Sequence, residues 1–331
     1  MDLATTIVLF ALGVVLVVKG GDLFVDAASW IAERSGIPKL IIGATVVSLA
    51  TTMPEMLVSA MAAAQGKVDM SIGNAVGSVT ANVGLIMALA LLCMPGAIRR
   101  RDYLLKSILM LLAAALTALC GLQGEVNLPA ALGLLVIFAV FLWENIREAK
   151  KAAMPASARA AAPAAPAAAK AQDVPANARR VLIVNVLKFI FGAAGIIAGA
   201  QLLVDNGSEL ARLAGVPERV IGVTLVAVGT SLPELVTTIT AIVKKQSALS
   251  VGNILGANIL DLTLIMPLAA LISGKALPIS AAFARIDLPV CLLVGLIALV
   301  PALVRSRFSR WQGGALLAVY AAYLVVTCTM T

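Results

Sequence analysis

"ATTMPEM", residues 50–56, sets a proline and a carboxylate side by side in a run otherwise apolar enough to cross a membrane. Proline removes a helical hydrogen bond, and a charge at the bilayer centre costs at least about 2.5–3.5 kcal/mol on insertion scales. The same combination returns as "GTSLPEL" at residues 229–235. Around the two motifs, "SGIPKLIIGATVVSLATTMPE" (35–55) and "AGVPERVIGVTLVAVGTSLPE" (214–234) share nine of 21 positions at an offset of 179. The same offset aligns "GNAVGSVTANVGLIM" (73–87) with "GNILGANILDLTLIM" (252–266), and pairs Gly20 with Gly199 and Asp26 with Asp205. A constant offset over separated segments marks an internal repeat.

The 331 residues are 61% apolar and only 13% charged, with a mean hydropathy of +1.03. Soluble domains are about 45–50% apolar and about 25% charged, so this composition belongs to an integral membrane protein. Apolar runs of spanning length fall at about 3–30, 39–64, 70–95, 103–121 and 127–147, then at about 180–208, 218–243, 248–273, 286–304 and 311–330. Between them, residues 148–179 are rich in Ala and Pro with scattered Lys and Arg, which reads as a flexible linker.

The organisation expected is therefore a first five-helix repeat over 1–147, a linker over 148–179 and a second five-helix repeat over 180–331. Five is odd, so the second half enters the membrane upside down. The fold class is an all-α polytopic membrane protein, ten transmembrane helices in two inverted five-helix repeats, an architecture typical of secondary transporters. No basic segment precedes the first apolar run, so a retained span is expected there, not a cleaved leader.

Loop charge sets the orientation. With the N-terminus outside, 17 Lys and Arg lie in cytoplasmic loops and 5 in outer loops, and the bias keeps its direction without the linker. This predicts a multi-pass protein with both termini outside and the linker cytoplasmic, with the lipid bilayer as its partner; the bacterial inner (plasma) membrane is its expected location. The net charge of +8 sits in those loops and not on an aromatic-lined face, so no nucleic-acid partner is expected. Cys93, Cys120, Cys291 and Cys328 are scattered without CxxC spacing and read as buried small hydrophobes. There is no histidine, no nucleophile–base pair and no nucleotide motif, which argues against an enzyme and against a resident cofactor.

Most carboxylates lie at span ends, as Asp22, Asp26 and Asp205 do, where they face water or cap loops. Glu55, Glu234 and Asp261 lie deep in apolar runs with no Lys or Arg in their motifs. Bound cations are the simplest compensation. Thr51, Thr52, Thr230 and Ser231 add hydroxyls on the same turns. Pro54 frees carbonyls around Ala50 and Thr51, and Pro233 around Gly229 and Thr230. The third span of each half carries a stripe spaced by four: Asn74, Ser78 and Asn82, then Asn253, Ala257 and Asp261. Hard oxygen donors suit Ca2+, Na+ or Mg2+, with Mg2+ disfavoured because it keeps its waters. Gly43, Gly222 and Gly229 permit close helix approach, and Gly73 and Gly77 read as packing residues.

The segments "GATVVSLATTMPE…GNAVGSVTAN" and "GVTLVAVGTSLPE…GNILGANILD" resemble the two alpha-repeats of the sodium/calcium exchanger family of cation antiporters. The resemblance covers nearly the whole chain apart from the linker. It implies exchange of Ca2+ for Na+ by alternating access, with both ions as substrates, around a central cluster of Glu55, Asn82, Glu234 and Asp261. It implies Ca2+ shared by the two glutamates with carbonyls of Thr51 and Thr230. It places Na+ on two flanks, one using the Ser48 carbonyl with Thr52 and Ser78, the other the Ala227 carbonyl with Ser231. Ala50 stands where the family usually has Gly, Thr52 for Ser, Val79 for an Asn whose counterpart Asn258 is kept, and Ala257 for the Ser that would match Ser78. Proton-coupled or K+-dependent Ca2+ antiport would use the same carboxylates. A channel fits less well, because highly charged buried sites release ions slowly. A non-transporting membrane protein would need no charged midplane site.

Overall fold

Inside a bilayer every backbone N–H and C=O must be satisfied within the protein, so apolar runs of spanning length become helices. A computed structural model describes residues 3–66, 68–153, 178–215, 229, 231–274 and 276–330. Its helices are α1 (Leu3–Ser35), α2 (Lys39–Ala64), α3 (Val68–Cys93), α4 (Arg100–Gln123), α5 (Leu128–Ala153), α6 (Ala178–Leu213), α7 (Leu232–Val243), α8 (Ser247–Ser273), α9 (Ala281–Arg305) and α10 (Arg310–Met330). Among the described residues eight of them, α1 to α6, α8 and α9, are long and apolar enough to cross a membrane. α7 is a shorter apolar helix, and most of the span expected at 218–243 before it lies outside the described residues. The expected linker also lies largely outside them, though α5 runs on to Ala153 and α6 already starts at Ala178.

The β structure among the described residues is two short antiparallel ladders. Gly96–Ala97 (β1) pairs with Arg307–Phe308 (β4), and Glu125–Val126 (β2) with Leu277–Pro278 (β3). They tie the loop after α3 to the loop after α9, and the loop after α4 to the loop after α8. The 24 residues of α4 separate β1 from β2, a distance of about 36 Å at the helical rise per residue.

α3 and α8 are the innermost helices, whereas α1 and α6 turn most of their surface outward. From Leu249 to Thr263 every side chain of α8 is buried, the pattern of a helix enclosed on all sides. α8 crosses α2 in direct backbone contact. A Cβ at Gly252 would overlap the Leu40 carbonyl, one at Gly43 the Leu249 carbonyl, and one at Gly256 the Ala44 carbonyl and the Ser48 hydroxyl. This crossing sets the first Pro-Glu motif against the "GNILGAN" segment of the second half. Gly77, read as a packing residue, faces open space, and Gly73 makes only an ordinary contact with Phe283.

Candidate cation site

α2 carries Ser48, Thr51, Thr52 and Glu55 on one buried face, at spacings of three and four residues. α7 contributes Ser231, which precedes it, and Glu234. α3 contributes Ser78 and Asn82, and α8 contributes Asp261. Glu55 is 0% exposed, and Glu234 and Asp261 are each 1% exposed, so all three carboxylates are removed from solvent. Thr230 and Ala227, also expected in the site, lie outside the described residues, as does Gly222.

The two halves touch through these residues. Thr52 Oγ1 donates to Glu234 Oε1 at 3.4 Å, and Thr51 Oγ1 reaches Asn253 Oδ1 at 3.2 Å. Glu55 lies within electrostatic reach of both Glu234 and Asp261, and Asp261 within reach of Glu234. Asn82 and Asp261, equivalent in the repeat, each begin a π-helical stretch, Asn82–Met87 and Asp261–Ile265. π-helical turns inside α-helices concentrate at functional sites.

Seven buried oxygens here have no hydrogen-bond donor: both carboxylate oxygens of Glu55, both of Asp261, Glu234 Oε2, Asn82 Oδ1 and Ser231 Oγ. Burying a carboxylate without a partner costs many kcal/mol, about tens in the limit of an isolated ion. Among the described ion pairs, no Lys or Arg reaches these groups. The donor set is all oxygen, which fits hard cations. Among the described residues no three carboxyl or thiol groups converge tightly enough to grip one metal ion. Amide, hydroxyl and carbonyl oxygens must therefore complete any cage.

The two motif prolines differ in setting. Pro54 stands inside the helical run Ser48–Ala64, whereas Pro233 occupies the first turn of α7, where an N–H has no helical partner in any case. Several supporting residues went unread in the sequence. Ser59 and Ser71 donate to each other's carbonyls at 3.3 and 2.9 Å, and Thr237 Oγ1 donates to the Glu234 carbonyl at 3.0 Å. For Ser59 and Thr237 the one sequence signal is a hydroxyl three or four residues beyond each Pro-Glu pair, and Ser71 carries none. Asp22 and Asp26 are exposed or half-exposed as expected, and both pair with Lys244 Nζ, at 3.3 and 2.7 Å. Cys120 and Cys291 are buried, but Cys93 is exposed because it ends α3 beside a loop.

Fold and site define the class: a multi-pass helical membrane protein with a cluster of buried, oxygen-bearing side chains at its centre. The chain belongs to the sodium/calcium exchanger protein family, whose sequence profile matches residues 5–146 and 184–329. It is 32% identical to the sodium/calcium exchanger MaX1 of Methanosarcina acetivorans over 95% of this chain and 96% of that one. It is 34% identical to the inner membrane protein YrbG of Escherichia coli over 90% and 88%. Its fold matches the sodium-calcium exchanger NCX_Mj soaked with 10 mM Na+ and 10 mM Sr2+ with a TM-score of 0.79, at 27% identity and covering 98% and 99% of the two chains.

Proposed function

We propose that this chain is a secondary active antiporter that exchanges Ca2+ for Na+ by alternating access through a midplane carboxylate site. The observation that carries the proposal is the set of seven unpartnered oxygens, drawn from both halves, an all-oxygen donor set that suits hard cations such as Ca2+ and Na+. The central cluster is Glu55, Asn82, Glu234 and Asp261. Ca2+ lies between the two glutamates with the carbonyls of Thr51 and Thr230. Na+ occupies flanking positions, one with Ser48, Thr52 and Ser78 and the other with Ala227 and Ser231. The ions are cargo, and no resident cofactor takes part.

The coupling follows from electrostatics. Three carboxylates in a low-dielectric interior repel one another strongly. One Ca2+ or several Na+ relieve that repulsion, but the two sets compete for the same oxygens. The unfilled site stays charged and is too costly to carry across the bilayer, whereas a filled one is not. α1 and α6, outermost in the bundle, are the helices placed to slide past the rest.

The ten-span inverted arrangement is part of this reading. β1 and β3 follow the third span of each half, yet β3 pairs with β2 at the far end of α4 from β1. Equivalent loops at opposite ends support an inverted repeat. Loop charge then puts both termini outside and the linker in the cytoplasm of a bacterial inner membrane.

The test is uptake of radiolabelled Ca2+ into liposomes containing the purified chain. An outward Na+ gradient drives uptake if the proposal holds. Uptake indifferent to that gradient sinks Na+ coupling, and a pH gradient or added K+ that restores it identifies the coupling ion instead. Glu55→Gln and Glu234→Gln each abolish exchange; survival of transport in either overturns the site.

A further inference from the structure

The halves hold their site glutamates differently. In the first, Asn74 Nδ2 donates to the Glu55 carbonyl at 3.1 Å and to Ser59 Oγ at 2.9 Å. Ser59 is bonded in turn to Ser71, so this network closes within α2 and α3. The equivalents 179 residues on are Asn253, Thr238 and Ser250. There the Thr238 and Ser250 hydroxyls are buried without a partner. Asn253 Nδ2 donates instead to Thr237 Oγ1 at 2.9 Å, and Thr237 Oγ1 passes a bond on to the Glu234 carbonyl at 3.0 Å. The rewiring has a sequence cause: the position matching Thr237 in the first half is Val58, which has no hydroxyl to offer.

The other end of Asn253 crosses the molecule. Thr51 has one hydroxyl proton and three acceptors around it, the Ser48 carbonyl at 3.3 Å, Asn253 Oδ1 at 3.2 Å and the Glu234 carboxylate. The Ser48 carbonyl is one of the oxygens assigned above to Na+. A carbonyl has two lone pairs, and one engaged by a hydroxyl proton leaves only the other for a cation. When Asn253 takes the proton, the Ser48 carbonyl keeps both.

We propose that Asn253 is a positioning residue serving both halves of the cation cage at once. Its amide oxygen draws the Thr51 proton away from the Ser48 carbonyl, and its amide nitrogen steadies the Glu234 backbone through Thr237. Asn253 is 1% exposed, so both bonds are shielded from bulk solvent. The proposal rests on the exchanger reading, since it acts through ligands assigned there.

The test is cation binding to the purified protein by titration calorimetry with Ca2+ alone and with Na+ alone, beside KM and kcat for exchange in liposomes. Asn253→Ala weakens binding of both ions by about fivefold to tenfold, the size of one hydrogen bond's net contribution, with kcat within about twofold. Thr237→Val cuts only the Glu234 arm and weakens Ca2+ by a similar factor; its fold is expected to hold because valine stands at the matching position 58. Thr237→Ser restores the hydroxyl and binds within about twofold of the parent. Unchanged affinities in Asn253→Ala and Thr237→Val overturn the proposal. So does Thr237→Ser behaving like Thr237→Val, or a fall in kcat alone. Absence of Na+-driven Ca2+ uptake by the unaltered chain overturns the exchanger reading separately, because the binding titrations need no transport.

Discussion

Glu55 has no surface left to water and no protein donor on either carboxylate oxygen, and Asp261 is in the same state. Such groups need a counter-charge or a proton, so under the proposed exchange the motif supplies cation ligands and is more than a kink with a stray charge. Around them the two repeats are unequal. Ser78 is a buried hydroxyl on α3, while its counterpart Ala257 is a fully buried methyl on α8. Ala257→Ser is expected to lower the half-saturating Na+ concentration for exchange by about fivefold, one added oxygen ligand, and to leave Ca2+ half-saturation within about twofold. Sodium titration of Ca2+ uptake in liposomes checks it. An unchanged or raised Na+ requirement would show that position 257 does not face the Na+ flank.

At the scale of elements, the crossing of α2 over α8 decides where the site forms. Gly43, Gly252 and Gly256 let two backbones touch, which sets Ser48, Thr51 and Asn253 against one another. Gly252→Ala puts a methyl where the Leu40 carbonyl already is, and neither helix has a flexible side chain there to yield. The expected cost is about 1–3 kcal/mol of stability from overpacking, together with lost Ca2+ binding as the helices part. Thermal unfolding in detergent with and without Ca2+ measures both. An unchanged midpoint with full Ca2+ stabilisation would mean that the crossing tolerates separation. Glycine spacing hinted at close approach at Gly43, but the same hint misled at Gly77, which faces open space. Small residues show where contact is permitted; the partner's path shows where it happens.

At the scale of the whole molecule, the two ladders join loops in a pattern that exchanges the halves. The inverted reading places Arg99 and Arg307 in the cytoplasm and Gln123 and Ala276 outside. In a background with the four cysteines replaced by serine, Gln123→Cys and Ala276→Cys are expected to react with a membrane-impermeant maleimide on intact cells. Arg99→Cys and Arg307→Cys are expected to react only after permeabilisation. Labelling of Arg99→Cys and Ala276→Cys from the same side would end the inverted arrangement.

Much of this protein is one-dimensional information. The duplication, the apolar spans and the identity of Glu55, Glu234 and Asp261 as misplaced charges follow from offsets, run lengths and residue type, none of which depends on how the helices pack. Asn74 and Asn253 were legible as a polar stripe, but not what they hold. Asn74 grips the Glu55 carbonyl within its own half, whereas Asn253 reaches Thr51 from 202 positions away. Thr52 and Glu234 meet across 182 positions. No periodicity along one helix encodes such pairs, because the crossing of two others sets them. The sequence by itself determined which residues are candidates for the chemistry; only the tertiary structure decided which of their buried oxygens are hydrogen-bonded and which have no donor, because that depends on where two distant helices cross.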